Sequence, residues 1–421
     1  MIYRKQLRGL RYNLLEPINN LRRDYFVYTY NKKDKIRILN RIRKQDRVTI
    51  FFLVINIGMW KSNKLFKKLL ENRKFEPYIV TSFIPGDTPE YKEYVQNNIS
   101  DYFEKLGFPV IKTYNPTTKK CSKIKELNAD VVIYPQPYHK NLKELSKNTL
   151  YAYIPYDYPI QDDKVYHGWV YHEICWRIFS INKNYKSLEE KYSKVRGENV
   201  KVVGYSNADY YFDNHQVDTS MWKVPEDKIK RIIWAPHHSI LSSDTMGQSL
   251  FLELAQSFLD LTNKYKKTCQ FVFKPHPRLK DKLYQLNGWG KEKTDEYYKK
   301  WEKGENTSFV EGDYIDLFLS SDAMIHDCSS FIAEYFYTGH PVMFLTKNNY
   351  DYNLHGTDND LFNAMYHGYN IRDVEDFINK ILLADEDVKV SERKRILNDV
   401  LEYTEGEQVC EKIYNEFLTL L

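Results

Sequence analysis

At 421 residues with 42% hydrophobic content, the chain is long enough for two cored domains, and its composition excludes a disordered or fibrous protein. Its five cysteines stand singly, without a CxxC pair or Cys/His ligand spacing, so neither a zinc site nor a disulfide framework is expected. The net charge of +5 is unevenly placed: Met1–Arg47 holds 14 Lys/Arg against 4 Asp/Glu, a local +10 that leaves the rest mildly acidic. With 36 Tyr against 22 Phe, much aromatic surface is expected half-buried, with the ring packed and the hydroxyl wet.

Residues 1–46 form a basic leader in which Leu7, Leu10, Leu14, Leu15, Ile18 and Leu21 fall near helical spacing. The pattern favours an amphipathic segment on an anionic membrane surface over a solvated arm, and nucleic acid is not expected as a partner. No stretch near the start has the apolar core of a signal peptide, and the longest apolar run, Val48–Ile57, is far shorter than the roughly 20 residues that span a bilayer. The expected location is cytoplasmic, peripheral on the inner face of the cell membrane.

Residues 47–215 alternate short β-branched runs with polar helical stretches. Strands are predicted at Val48–Ile55, Tyr78–Thr81, Val110–Lys112, Val131–Tyr134, Leu150–Ile154, Arg177–Ile181 and Val200–Val203, with helices at Asn63–Asn72 and Pro89–Leu106. Turn chemistry near 212–228 breaks the pattern, which then restarts in residues 216–421. There the strands are Ile232–Ala235, Phe271–Lys274, Ser308–Val310, Ala323–Ile325 and Val342–Leu345. Helices are expected at Ser249–Lys264, Asp313–Ser320 and Phe331–Thr338, and through a tail from Val374 to Leu421. Strands separated by helices imply parallel sheets, so the fold class is α/β, with two doubly wound Rossmann-like domains facing a central cleft. Ligands of such sheets sit beyond the carboxyl ends of the strands, and the informative residues fall there.

Four segments carry candidate chemistry. In Asp316–Leu345 a strand runs through Asp327 into Ser329 and Ser330 at an expected helix start, a phosphate-binding arrangement, with Glu334 one turn on and able to accept from a ribose diol. The alternative is that Asp327 or Ser329 only caps the helix. In FVFKPHPRL, Pro275 and Pro277 hold His276 between Lys274 and Arg278, a cationic group suited to a pyrophosphate. In IIWAPHHSI, His237 and His238 follow a strand and either touch the ligand or finish a turn. On the first-domain side, Asp157 in YAYIPYDYP, His167 and His172 are candidates for a base acting on an acceptor hydroxyl. No P-loop, GxGxxG or GxSxG motif is present, and no metal or cofactor is expected.

The segment IHDCSSFIAEYFYTGHPVMFL resembles the signature of the CDP-glycerol glycerophosphotransferases, the teichoic acid primases and polymerases. Asp327, Ser329, Ser330 and Pro341 match it, and Glu334 replaces an Asp. KPHPRL is similar to that family's His-Pro element and VKVVGYSNAD to its domain-junction motif. The resemblance implies a GT-B fold, a CDP-polyol donor in the C-terminal domain with His276 on its phosphates, metal-independent transfer and a polymer or lipid-linked acceptor. Where the family has Trp-His-Gly-Thr-Pro, with the His as base, this chain has Ile154-Pro155-Tyr156-Asp157-Tyr158-Pro159, so the base falls to Asp157, His167 or His172. Glycerol phosphate or ribitol phosphate would be transferred with release of CMP. The rival readings are a GT-B enzyme using a UDP- or CMP-sugar and a non-catalytic scaffold of envelope assembly; a homo-oligomer is compatible with all of these.

Overall fold

The computed structural model describes residues 20–84, 86–136, 144–158, 170–225, 229–241, 249–327, 331–347, 357–401 and 406–421. It divides into two compact units, one of residues 1–156, 163–206 and 406–421, the other of residues 157–162 and 207–405.

The first unit opens its sheet with β1 (Val48–Val54), β2 (Phe75–Thr81) and β3 (Val110–Ile111). A small antiparallel hairpin of β4 (Tyr114–Asn115) and β5 (Lys120–Cys121) intervenes. The sheet continues with β6 (Val131–Tyr134), β7 (Leu150–Tyr153), β8 (Arg177–Ser180) and β9 (Val200–Val202). The order 3-2-1-6-7-8-9, with every pair parallel, puts β1 in the interior of the sheet and the reversal of winding between β1 and β6. VTIFFLV is apolar on both faces because helices cover both sides of a parallel sheet, and six of its seven residues are buried. Below it, the helix Asn63–Glu71 buries Leu65, Phe66 and Leu69, with the Phe66 ring centroid 5.2 Å from Phe52 and 4.4 Å from Phe108.

Two sequence-based boundaries change. Residues 20–46 are part of the first unit, not a separate leader: a helical run including Lys35–Ile42 buries Tyr30, Ile38 and Ile42. Its polar groups satisfy backbone carbonyls that precede β7 and β8. The Tyr30 hydroxyl donates to Thr149 O at 2.6 Å, Asn31 Nδ2 to Glu173 O at 2.9 Å and Lys35 Nζ to Cys175 O at 3.1 Å, while Arg41 pairs with Asp130 at 2.7 Å. Burial pulls the Lys35 ammonium down to about 8. Leu7, Leu10, Leu14, Leu15 and Ile18 lie outside the described residues.

The final helix, Val409–Leu418, was expected with the second domain and instead completes the first unit. Its Phe417 packs on Trp176 and Phe179, and Glu416 accepts from Arg177 at 2.6 Å. Gly204 permits this: its φ is +104°, and a Cβ there would lie 2.9 Å from Val409 Cγ2.

The second unit is built from β10 (Lys230–Ala235), β11 (Cys269–Phe273), β12 (Thr307–Phe309), β13 (Ala323–His326), β14 (Val342–Leu345) and β15 (Tyr366–Gly368). The order is 12-11-10-13-14-15, again parallel throughout. Its core is aromatic, with Trp234 stacked 3.9 Å from Phe258 and flanked by Phe251, Phe273 and Trp301. The winding reverses between β10 and β13, so the strand ends that follow Ala235, Phe273 and His326 converge on the position where an open sheet takes its ligand.

Candidate functional site

At the carboxyl ends of β10, β11 and β13 three histidines meet. The rings of His237 and His238 stack with centroids 4.2 Å apart, and His276 stands edge-on to both, at 4.9 Å from His237 and 4.2 Å from His238. The two prolines do what their fixed φ predicts: β11 is extended beyond Phe273, Lys274 N bonding Trp234 O at 2.8 Å and His276 N bonding Pro236 O at 2.9 Å. The His276 ring is thereby delivered beside the pair from β10.

Hydrogen bonds select the tautomers. The Arg278 backbone N–H donates to His276 Nδ1 at 3.1 Å, and the Ser239 backbone N–H donates to His237 Nδ1 at 3.2 Å. A nitrogen that accepts carries no proton, so in the neutral rings the proton sits on Nε2. Burial, then the neighbouring His238 and His237, then Arg278 and Lys274, hold the His276 imidazole down to about 2, so it is neutral at any working pH. The three side chains present nitrogen atoms within 4.8 Å of one another, close enough to share a cation. A metal at Nε2 of His237 or His276 would have to displace those protons, whereas an oxyanion would accept from them. As arranged, His237 and His276 carry their ring protons on Nε2.

Asp327 braces this cluster. It is 1% exposed and accepts from His237 N at 2.5 Å, Ser249 Oγ at 2.8 Å and Leu250 N at 2.9 Å, tying the end of β13 to the end of β10 and to the start of the helix Phe251–Lys264. Burial outweighs these donors and lifts its carboxyl to about 6. The donor-binding role expected for Asp327 is thus a positioning role.

Glu334 and Lys274 also differ from expectation. Glu334 is 3% exposed and accepts from Asn207 Nδ2 at 2.9 Å, from the Tyr211 hydroxyl at 3.2 Å and from the Tyr314 hydroxyl at 2.7 Å. It clamps the segment Asn207–Tyr211 rather than facing a ribose. Lys274 is 6% exposed, its Nζ donating to Gly312 O at 3.1 Å beside the Tyr314 ring, so its charge is turned into the unit. Arg278 is exposed next to His276. The α-helix expected over Phe331–Thr338 is a 3₁₀ segment, Glu334–Thr338, ended by Gly339 at φ +74°. Its aromatic run packs inward, with Tyr335 and Phe336 fully buried, and a segment this short has little dipole to offer an anion. Ser329 and Ser330 lie outside the described residues.

Of the three candidate bases, His172 is excluded by its surroundings. It is 0% exposed, with Nδ1 2.6 Å from Glu189 Oε1 and Nε2 2.8 Å from the Tyr171 hydroxyl, both nitrogens engaged inside the first unit. His167 lies outside the described residues. Asp157 is half-buried and follows Tyr156 shortly after the end of β7. Sequence reasoning left His238 undecided and gave no role to Ser239 or Ser249. Their positions just after a strand and just before a helix were the available signal.

Two parallel-sheet units of this kind are those of the GT-B fold. The model of the CDP-Glycerol:Poly(glycerophosphate) glycerophosphotransferase family matches residues 173–419, well over half the sequence, and the chain belongs to that family. Among solved structures, the wall teichoic acid polymerase TagF shares 15% identity at a TM-score of 0.58, covering 99% of this chain and 98% of its own. A TagF variant soaked with CDPG gives 14% identity and a TM-score of 0.55, with 99% and 96% covered. The UDP-GlcNAc 2-epimerase of Neisseria meningitidis, bound to UDP-GlcNAc, gives 12% and 0.51, with 88% and 99% covered. At these identities the solved structures establish the fold. No curated protein matches the chain by sequence.

Proposed function

We propose that the chain transfers glycerol phosphate from CDP-glycerol to a hydroxyl of a polymer or lipid-linked polyol phosphate, with the donor pyrophosphate on His276, His237 and His238. The acceptor oxygen attacks the β-phosphorus. The new P–O bond forms as the bond to the bridging oxygen breaks, CMP leaves with that electron pair, and the acceptor proton passes to a base, for which Asp157 is the candidate. The observation that carries the reading is the pair of Nε2–H donors fixed by backbone N–H groups at the switch point. Neutral donors held rigidly need no reorganisation as negative charge grows on the departing phosphate.

Membrane association belongs to the same proposal. Leu21, Tyr25, Tyr28 and Ile36 are 70%, 69%, 62% and 55% exposed on the helical run that starts the first unit. Arg22, Lys32, Lys33, Arg37, Arg43 and Lys44 are exposed on the same stretch of chain. An apolar stripe with a cationic border suits an anionic lipid surface, where a lipid-linked acceptor would be presented. No helix among the described residues is long and apolar enough to cross a membrane.

A thermal-shift series with CDP-glycerol, CDP-ribitol, CMP, UDP and UDP-GlcNAc tests the donor. A ligand at a hundred times its Kd adds about 2.7 kcal/mol of stability. Stabilisation by CDP-glycerol that is lost in His276→Ala is expected; a preference for uridine ligands would overturn the reading.

A further inference from the structure

Ser239 follows β10 and Ser249 precedes the helix Phe251–Lys264, and both are sealed in the second unit, 2% and 1% exposed. With His237 and Asp327 they close a ring of hydrogen bonds. The Ser239 hydroxyl lies 2.7 Å from His237 Nδ1, and the Ser239 carbonyl accepts from Ser249 N at 3.1 Å. The Ser249 hydroxyl donates to Asp327 Oδ2 at 2.8 Å, and Asp327 Oδ1 accepts from His237 N at 2.5 Å. The ring therefore starts at the imidazole of His237 and returns to its backbone.

Most of these bonds tie strand ends together, and the bond from Ser249 N to the Ser239 carbonyl would survive any residue at 239. The Ser239 hydroxyl does something different. It reaches the same Nδ1 that the Ser239 backbone N–H approaches at 3.2 Å, and among the described residues it has no other acceptor. With Nδ1 unprotonated, both hydrogens of Ser239 share its lone pair, and the nearer hydroxyl makes the stronger bond. With Nδ1 protonated, the hydroxyl hydrogen and the backbone N–H would both lose their acceptor. Orphaned donors inside a protein are costly, so each of the two biases the ring toward the tautomer with its proton on Nε2. The backbone half of that bias comes with any residue. The hydroxyl half comes from serine.

We infer that Ser239 is a positioning residue for the transfer reaction: its hydroxyl, held in the ring with Ser249 and Asp327, orients the His237 imidazole and keeps the ring proton on Nε2 within the cluster that receives the donor pyrophosphate. The inference rests on the reading of that cluster as the pyrophosphate site and adds a residue that acts through His237. It needs no covalent step.

The test uses the full chain carrying histidine labelled with heavy nitrogen in the ring, with the His237 signals identified by their loss in His237→Gln. Long-range proton–nitrogen NMR at about pH 8, above the ordinary histidine value, separates a ring nitrogen that accepts from one that bears a proton. The parent protein should show Nδ1 as the acceptor and Nε2 as the protonated nitrogen. In Ser239→Ala the two signals should move toward each other as the second tautomer is populated, and Ser239→Thr, which keeps the hydroxyl, should restore the parent pattern. In turnover assays Ser239→Ala should lower kcat about tenfold and change the KM for CDP-glycerol by less than about twofold, because a fixed dipole matters most as charge grows on the departing phosphate. A parent spectrum with Nδ1 protonated overturns the inference, as does an unmoved pattern or an unchanged kcat in Ser239→Ala. A loss of turnover that persists in a Ser239→Thr protein melting like the parent does the same. The pyrophosphate reading fails separately: no thermal shift with CDP-glycerol, alongside the tautomer change in Ser239→Ala, would remove the cluster as the donor site and leave Ser239 only a structural hold on the ring.

Discussion

The two units share one winding plan and differ in what they place at its turning point. In the second unit, β10 and β11 deliver three imidazoles, two of them with Nδ1 accepting from backbone N–H groups. In the first, the histidine of the helix Val170–Ile174 is sealed between Glu189 and Tyr171, and the loop after β1 brings Trp60 and Lys61 instead. Histidine as a residue type therefore says little. What differs between the two units is where the ring stands, at converging strand ends in one and inside the core in the other.

The strongest way to break this comparison is His276→Ala. Removing one preorganised donor lowers turnover by about 100-fold or more in steady-state assays, with an unchanged melt, if the second-unit cluster is the donor site. Loss of fold instead of activity would make it another core histidine.

Glu334→Ala tests the clamp on residues 207–211. It leaves three donors without their shared acceptor and should cost about 3 kcal/mol in a denaturant titration, seen as a lower midpoint at unchanged slope. A near-neutral result would return Glu334 to the pool of ligand-binding residues.

The comparison also has a pH signature. His276 is held down to about 2, so between there and the ordinary histidine value near 6.5 the unfolded chain binds a proton that the folded chain refuses. Its contribution to stability is present above about pH 6.5 and lost progressively as pH falls. Asp327, lifted to about 6, acts in the opposite sense: its folded form keeps a proton longer, so its contribution is lost as pH rises from about 4 to 6. Melts of His276→Gln between pH 4 and 8 should show less acid destabilisation than the parent. An identical acid slope would mean that His276 is not the desolvated group described.

His172→Gln sharpens the other side of the contrast. It should reduce stability by about 1–3 kcal/mol and leave the turnover of the folded fraction unchanged. A fall in kcat without a fall in stability would reinstate it as a base.

The smallest effect expected on the fold is at the exposed stripe. Tyr25→Ser with Tyr28→Ser should change stability by within about 0.5 kcal/mol each, while weakening sedimentation with anionic vesicles several-fold. Unaltered vesicle binding would remove this stripe as the membrane contact.

Much of this was legible before any coordinates. The apolar run VTIFFLV marked a buried strand because a parallel strand covered on both faces tolerates it, and FVFKPHPRL marked a strand end with a fixed histidine because prolines on both sides leave its backbone little freedom. The run FIAEYFYTG misled for a local reason: its residues sit at helical spacing, yet the aromatics turn inward and leave a 3₁₀ segment. Residues 20–46 misled for a different one. Their basic, amphipathic pattern is real, but the apolar side that includes Tyr30 and Ile38 meets the first unit, and loop carbonyls from over a hundred residues away take up the polar groups of Tyr30, Asn31, Lys35 and Arg41.

The sequence by itself determined the α/β class, the two restarts of the strand pattern and the histidines beyond β10 and β11, because periodicity and strand-end chemistry are local properties of the chain. Tertiary structure alone decided the rest. Glu334 became a clamp because its partners come from residues 207, 211 and 314, and His172 became core because Glu189 closes over it. The final helix joined the first unit because Gly204 leaves room for Val409. Each of these depends on which distant groups arrive at one point, and burial then sets whether a polar group is satisfied by the protein or left to meet a ligand.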